Sequence, residues 1–201
     1  MKAVSQLPEN YMEYFSVNLQ KNKKLAFLIN GLALIIAFAM AYFMFFFVPF
    51  STIYPSDADI PDIIRSLKVK GIALIVLMVL YMVLHELVHG IAMKICGSSK
   101  VRYGFTGIYA FAGSDDYYNK KAYIFIALAP VVLWGAVLAA TSYLVPPDWF
   151  WVIYFVQIIN ISGAAGDFYV TAKFASFPED ILVKDIGVSM TVYSARAVHN
   201  S

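Results

Sequence analysis

The sequence predicts an all-α polytopic membrane protein with four transmembrane helices, on two observations. The 201 residues are 61% hydrophobic and only 14% charged, against about 45–50% and about 25% in a typical globular domain. A soluble chain of this size cannot bury that much apolar surface. Four apolar stretches are also long enough for a hydrocarbon core of about 30 Å, which needs about 20 residues: 25–50, 71–96, 122–145 and 149–175.

The basic residues indicate how these helices are oriented. Of the fifteen lysines and arginines, twelve lie before the first stretch, at the end of the second or between it and the third, or at and beyond the end of the fourth. Because positively charged loops stay inside, both termini are predicted to be cytoplasmic in a multi-pass cell-membrane protein. The net charge of only +2 argues against nucleic acid as a partner. The apolar composition instead predicts that the chain interacts with the lipid bilayer.

The rest of the chain divides around the membrane core. We predict a cytoplasmic N-terminal segment (1–24), a transmembrane core (25–175) and a cytoplasmic tail (176–201). Residues 8–24 fit an interfacial amphipathic helix or a solvated lead-in, and 51–70 are predicted to be an outer loop. Between the second and third spans, 101–105 and 108–112 flank Thr106-Gly107, which predicts a short cytoplasmic β-hairpin. Residues 188–193 fit a short strand.

The second span carries the pattern His85-Glu86-Leu87-Val88-His89. Residues i and i+4 of a helix lie on the same face, so both imidazoles can reach one metal ion while Glu86 contacts a water at the metal. H-E-x-x-H supplies two zinc ligands and a general base. A charged residue inside a spanning helix costs roughly 2.5–3.5 kcal/mol on insertion scales. That cost favours a functional role over the alternative, a hydrogen-bonded cluster that holds helices together.

A hydrolytic zinc site needs a third protein ligand and an open position for water. Away from the span ends, the four stretches contain four charged or histidine side chains, namely His85, Glu86, His89 and Asp167. At about 1.5 Å per residue, the histidines and Asp167 lie about 21–27 Å along helices that run the same way. Asp167 is therefore predicted to be the third ligand of one zinc ion per chain. The alternative is a structural carboxylate that caps a helix or bonds Asn160.

The stretch before Asp167, residues 160–166, is rich in glycine and other small residues. It allows close helix packing or a local break in the helix. Asn160 is a candidate substrate-binding residue that could donate a hydrogen bond to a substrate carbonyl, the alternative being a bridge between helices. Pro130 is predicted to kink the third span, which either opens a cavity or reflects the tolerance of membrane helices for proline.

These motifs resemble the site-2 protease class of intramembrane zinc metalloproteases. The small size, His-Glu-Leu-Val-His-Gly, Ala-Leu-Ala-Pro, and Gly-Asp-Phe-Tyr with its Pro-Glu-Asp…Lys-Asp tail resemble more closely a bacterial family of predicted zincin peptidases of unknown function. That resemblance covers roughly residues 74–193. It implies zinc binding by His85, His89 and Asp167, with Glu86 as the catalytic base. The Asp-Gly pair of the larger class is absent, since Phe168 follows Asp167.

The sequence therefore predicts an intramembrane zinc metalloprotease that cleaves a membrane-protein or peptide substrate in or next to the bilayer. Glu86 would accept a proton from a zinc-activated water. One alternative is a non-catalytic zinc-binding membrane protein that binds partner transmembrane segments; Glu86 argues against it, because a pure binding site does not need that carboxylate. Another is a metal transporter, which the lack of a second His/Asp cluster in the sequence disfavours.

Overall fold

The computed structural model describes residues 3–54, 57–107 and 110–195. Within those ranges, four helical segments are long and apolar enough to cross a membrane, as the hydropathy pattern predicts. Three are single helices, Lys23–Phe45 (α1), Ile60–Ile95 (α2) and Lys120–Leu144 (α3). The fourth segment, Pro147–Ala175, combines a 3-10 turn (Pro147–Trp149) with Phe150–Gly163 (α4) and Ala165–Ala175 (α5).

The helix ends differ from the predicted span ends. The first helix stops at Phe45, since Pro49 lacks an N–H and disfavours helical backbone before it. The second begins at Ile60, so most of the predicted 51–70 loop is helical. Asp59 caps this longer helix by accepting a hydrogen bond from the Asp62 N–H at 3.0 Å. Hydropathy marks only the apolar part of a helix, and this polar, capped extension lies outside it.

The fourth segment is interrupted at Ala164, where the backbone ψ of 11° leaves helical geometry. Of the two possibilities for the small residues at 160–166, the structure shows the local break. The break begins a new helix, α5, and places Asp167 in its first turn.

The all-α prediction is wrong in part, because the chain also forms a four-stranded antiparallel sheet. Its strands are β1 (Met12–Val17), β4 (Tyr117–Asn119), β5 (Leu182–Asp185) and β6 (Met190–Ser194), in the order β1-β6-β5-β4. The amphipathic helix considered for residues 8–24 is therefore wrong over β1. Strand β1 pairs with β6 near the other end of the chain, and such a long-range partner leaves no trace in a local sequence window.

Two further strands form a separate antiparallel pair between α2 and α3. Strand β2 (Arg102–Phe105) pairs with β3 (Ala110–Gly113), with Phe105 opposite Ala110. Residues 108 and 109, which the sequence assigns to the second strand of the hairpin, lie outside the described residues.

The chain separates into two compact units. One is drawn from Met1–Ile29, Leu84–Pro130 and Gly166–Ser201, and the other from Asn30–Val83 and Val131–Ala165. The first unit contains both sheets and a core that includes Met93, Tyr118, Ile126, Phe174 and Val183. The second has a core around Trp151, Tyr154 and Ile158. In this second unit the buried Lys70 ammonium donates to the Asp148 carboxylate at 2.6 Å and to the Ile53 carbonyl at 2.7 Å.

Candidate metal centre

Helix α2 presents His85, Glu86 and His89 within the first compact unit. The two imidazoles lie one helical turn apart, with ring centroids 4.8 Å apart and ring planes at 79° to each other. This arrangement follows from the i, i+4 spacing, which stacks the two side chains on one face.

Asp167 reaches the same point from α5. Its Oδ2 lies 3.7 Å from Nε2 of His85, and its Oδ1 lies 3.8 Å from Nε2 of His89. One ligand atom from each of the three residues falls within 4.8 Å of the others. Because the helix break places Asp167 in the first turn of α5, the helix dipole favours its negative charge there. The structure therefore brings together the three residues that the sequence predicts as ligands.

The hydrogen bond at the far side of the His89 ring determines which nitrogen faces the metal centre. Nδ1 lies 2.9 Å from the carbonyl oxygen of Ile126 and must donate its proton to it, since a carbonyl only accepts. Nε2 then carries the lone pair, and this is the nitrogen that faces Asp167. A metal-binding histidine commonly donates its other N–H to such a partner.

The Ile126 carbonyl is free to accept this bond because of Pro130. In a regular helix, the carbonyl of residue 126 accepts the N–H of residue 130, but proline has no N–H. The proline at 130 lies inside α3. Its place four residues after Ile126 leaves that oxygen without its helical donor and available to His89.

The donor set fits zinc. Two histidine nitrogens and one carboxylate oxygen form a common catalytic zinc set, and bonds of about 2.0–2.1 Å in a tetrahedron place such donors about 3.4 Å apart. The observed 3.7 and 3.8 Å separations need shifts of only a few tenths of an ångström. With three protein ligands, a fourth position stays open for water or substrate.

Glu86 lines the same cavity as His89 and Asp167. This metal-site cavity has a volume of about 140 Å³, and Met93, Phe111 and Ile126 also contribute to its walls. The Glu86 carboxylate makes a hydrogen-bonding contact with the backbone of Ala112 on strand β3. The β2–β3 pair therefore helps to fix the orientation of Glu86, a role that the sequence does not reveal.

Gly90, the residue after His89, allows the β2–β3 pair to approach α2. A Cβ at this position would lie only 1.9 Å from the hydroxyl oxygen of Tyr103 and 2.5 Å from its Cζ. A glycine is therefore required for Tyr103 to occupy its place against the helix, which gives the final glycine of His-Glu-Leu-Val-His-Gly a packing role.

Tyr123 and Asp185 form a hydrogen-bonded pair on the wall of the metal-site cavity. The Tyr123 hydroxyl donates to the Asp185 carboxylate, which also accepts the Gly187 N–H at 2.7 Å. Burial raises the pKa of Asp185 to about 6, although the Tyr123 and Gly187 hydrogen bonds oppose this shift. Asp185 is not part of the ligand group found among the described residues.

The sequence assigns no role to Tyr123, and it offers Asp185 only as the next candidate metal ligand if Asp167 is not one. Tyr123 is one of many aromatic residues in apolar helices and carries no distinguishing local signal. A signal does exist for the turn, because Asp185-Ile186-Gly187 is a typical turn sequence. Gly187 adopts a φ of +87°, which favours glycine.

Asn160 lies in the other compact unit and is fully buried. Its Oδ1 accepts the Tyr81 hydroxyl at 2.9 Å, and its Nδ2 lies 3.3 Å from the Val131 carbonyl. These contacts connect α4 with α2 and α3, as the helix-bridging alternative describes. Substrate binding by Asn160 stays a prediction.

A comparison with protein families finds a match over residues 78–182, to a family described as "Putative zincin peptidase". The match covers just over half of the chain and includes all three proposed ligands and Glu86. Comparisons with curated proteins and with solved structures find no match.

Proposed function

This chain belongs to the family described as "Putative zincin peptidase", and on that premise we propose that it is an intramembrane zinc metalloprotease. It would hydrolyse a peptide bond in or next to the bilayer. The observation that carries the proposal is the convergence of His85, His89 and Asp167 beside a cavity that Glu86 also lines. Among the described residues, four helical segments that are long and apolar enough to cross a membrane support the intramembrane setting.

His85, His89 and Asp167 would hold one zinc ion per chain. When bound, zinc supplies a Lewis acid that polarises the scissile carbonyl and lowers the pKa of water. The carboxylate of Asp167 offsets part of the metal charge, and the Ile126 carbonyl keeps the His89 Nδ1 proton away from the metal. Together these groups favour a divalent cation at the Nε2 atoms of the histidines.

Glu86 would act as the general base and then as the general acid. Its carboxylate takes a proton from the attacking water as the oxygen bonds to the carbonyl carbon, and returns it to the amine that leaves. The contact between Glu86 and the backbone of Ala112 supports this role, because a base must be held at a fixed position. The metal-site cavity provides the room that water and a substrate carbonyl need.

The substrate would be an extended segment of a membrane protein or peptide. In a helix every carbonyl is hydrogen-bonded to the N–H four residues later, so local unwinding must precede attack. The orientation that the basic residues predict places both termini in the cytoplasm, which stays a prediction from the positive-inside rule.

The proposal can be tested by comparative proteomics of peptides released from membranes. Cells that carry the wild-type protein should release peptides that are missing from cells carrying Glu86→Gln, a change that keeps side-chain size but removes the proton acceptor. Both proteins should be expressed at the same level and retain zinc. Identical peptide profiles with zinc retained in both would instead favour the alternative of a non-catalytic zinc-binding protein that binds partner transmembrane segments.

A further inference from the structure

A second cavity, here called the side cavity, adjoins the metal centre and has no role in the mechanism above. Its volume is about 180 Å³. It shares four residues with the metal-site cavity, namely Tyr123, Asp167, Asp185 and Gly187. Glu86 and His89 line the metal-site cavity but not the side cavity, so the two spaces share Asp167 while the rest of their linings largely differ.

The side cavity is lined mainly by apolar side chains from three parts of the first compact unit. These parts are the end of β1 with the start of α1, helix α5, and the β5–β6 turn. The apolar lining residues are Val17, Leu19, Ile29, Val170, Val188 and Met190. A cavity of about 150 Å³ lined by aliphatic and aromatic side chains stays dry and binds benzene. The side cavity is of similar size. Tyr123, Asp167, Asp185 and Ser189 add polar groups to its lining, and its apolar residues suit an apolar group as large as a leucine or phenylalanine side chain.

We propose that the side cavity binds an apolar side chain of the substrate next to the scissile bond. This inference rests on the proposed function, since it identifies the substrate class for that same site. A peptide carbonyl at the metal centre lies beside Asp167, and successive residues of an extended chain are about 3.3 Å apart. A neighbouring side chain can therefore enter the side cavity, which Asp167 also lines. Substrates with leucine or phenylalanine at that position are preferred over those with alanine.

Binding of small metal-directed probes tests this assignment without relying on hydrolysis. Alanine, leucine and phenylalanine hydroxamates carry the same metal-binding group and differ only in the side chain. Their affinities can be measured by calorimetry on the purified, zinc-loaded, full-length protein in detergent micelles, with empty micelles and chelator-treated protein as blanks. Burial of a leucine side chain corresponds to about tenfold or more in affinity, so the leucine and phenylalanine probes should bind at least about tenfold tighter than the alanine probe.

Two substitutions in the β5–β6 turn provide the matched pair. Val188→Phe should fill the side cavity and reduce the leucine and phenylalanine probes to the affinity of the alanine probe, with zinc content unchanged. Ile186→Phe makes a similar change at an exposed position of the same turn (37% exposed), outside the linings of both cavities, and should behave as the wild type. Val188→Ala, which enlarges the cavity without overpacking it, should strengthen the phenylalanine probe relative to the leucine probe.

Equal affinities of the three probes for the wild type, or no binding by any of them, would overturn the proposal. Equal effects of Val188→Phe and Ile186→Phe would also do so, as would a cavity that stays filled by lipid and excludes the larger probes. If the larger probes bind tighter but Glu86→Gln changes no peptide profile in cells, the proteolytic function fails while the side-chain site stands.

Discussion

At the scale of single residues, the metal centre depends on how each side chain is held by its neighbours. His89 directs Nε2 at Asp167 because its Nδ1 proton is bound to the Ile126 carbonyl. Glu86 is held by the backbone of Ala112, and Gly90 leaves room for Tyr103. The geometry of the candidate site therefore depends on main-chain atoms and on the lack of a side chain at Gly90, as well as on the three candidate ligands.

Because Tyr103 packs against Gly90, the effect of Gly90→Ala on the free energy of unfolding should have opposite signs with and without the Tyr103 side chain. Glycine to alanine in a helix ordinarily stabilises by about 0.5–1 kcal/mol, but overpacking typically costs about 1–3 kcal/mol. Gly90→Ala should therefore lower the free energy of unfolding by about 1 kcal/mol in the wild type and raise it in Tyr103→Ala. Denaturant unfolding of the four proteins measures this cycle. The same sign in both backgrounds would show that Tyr103 does not restrict this position.

At the scale of elements, the proline in α3 connects helix structure with the orientation of His89, a candidate metal ligand. Pro130→Ala restores an N–H that competes with His89 for the Ile126 carbonyl. Loss of such an outer hydrogen bond typically weakens metal binding by about 10–100-fold. The Ile126 carbonyl can accept the new N–H and the His89 proton together, so we expect the weakening to be at the lower end, about tenfold.

Competition with a zinc chelator measures this affinity. The helix itself should become more stable, because proline in a helix interior costs about 3 kcal/mol. Val132→Ala, at an exposed position two residues later (67% exposed), is the control and should bind zinc like the wild type. An unchanged affinity in Pro130→Ala would mean that His89 keeps its orientation without the freed carbonyl.

The β5–β6 turn predicts a pH dependence of stability through Asp185. In the folded chain the pKa of Asp185 is about 6, whereas its ordinary value is 3.8. At pH values between these two, unfolding therefore releases a proton from Asp185. The free energy of unfolding should therefore fall as the pH rises through this window. Asp185→Asn removes this contribution, so the wild type should lose stability relative to the variant between about pH 4 and pH 6.

Melting temperatures across this pH range, with chelator present, measure the effect. Asp57→Asn, which changes an exposed carboxylate, should follow the wild type. A constant difference between the wild type and Asp185→Asn over the whole range would contradict the assignment to Asp185.

The sequence could predict the three residues that the structure brings together, because their signals are local. The i, i+4 spacing fixes the relation of His85 to His89, and Asp167 stands out as a carboxylate in an apolar segment. The sheet could not be predicted in this way, since β1 finds its partner β6 at the other end of the chain. Tyr123 acquires its role from Asp185, 62 residues away. The freed carbonyl is a different case: it lies four residues before Pro130 and can be found by counting, but its acceptance of the His89 proton depends on tertiary packing.

At the scale of the whole molecule, the orientation in the membrane stays a prediction from charge. Twelve basic residues on the predicted cytoplasmic side against three on the other favour cytoplasmic termini. Single cysteines introduced at Ala58 and Ser201 should react with a membrane-impermeant thiol reagent from opposite sides. The native Cys96 is buried and should remain unlabelled in both proteins. Labelling of both positions from the same side would mean that the number of membrane crossings between them is even.

The most direct test of the account is the zinc content of three purified variants, measured together with peptide release. Glu86→Gln should keep about one zinc per chain and lose peptide release, because it lacks only the proton acceptor. Asp167→Asn should lose most of its zinc, because a neutral amide replaces an anionic ligand. His85→Ala provides the reference for a protein that has lost a histidine ligand. If Glu86→Gln loses its zinc while Asp167→Asn keeps both metal and peptide release, the assignment of Glu86 as base and Asp167 as third ligand is wrong.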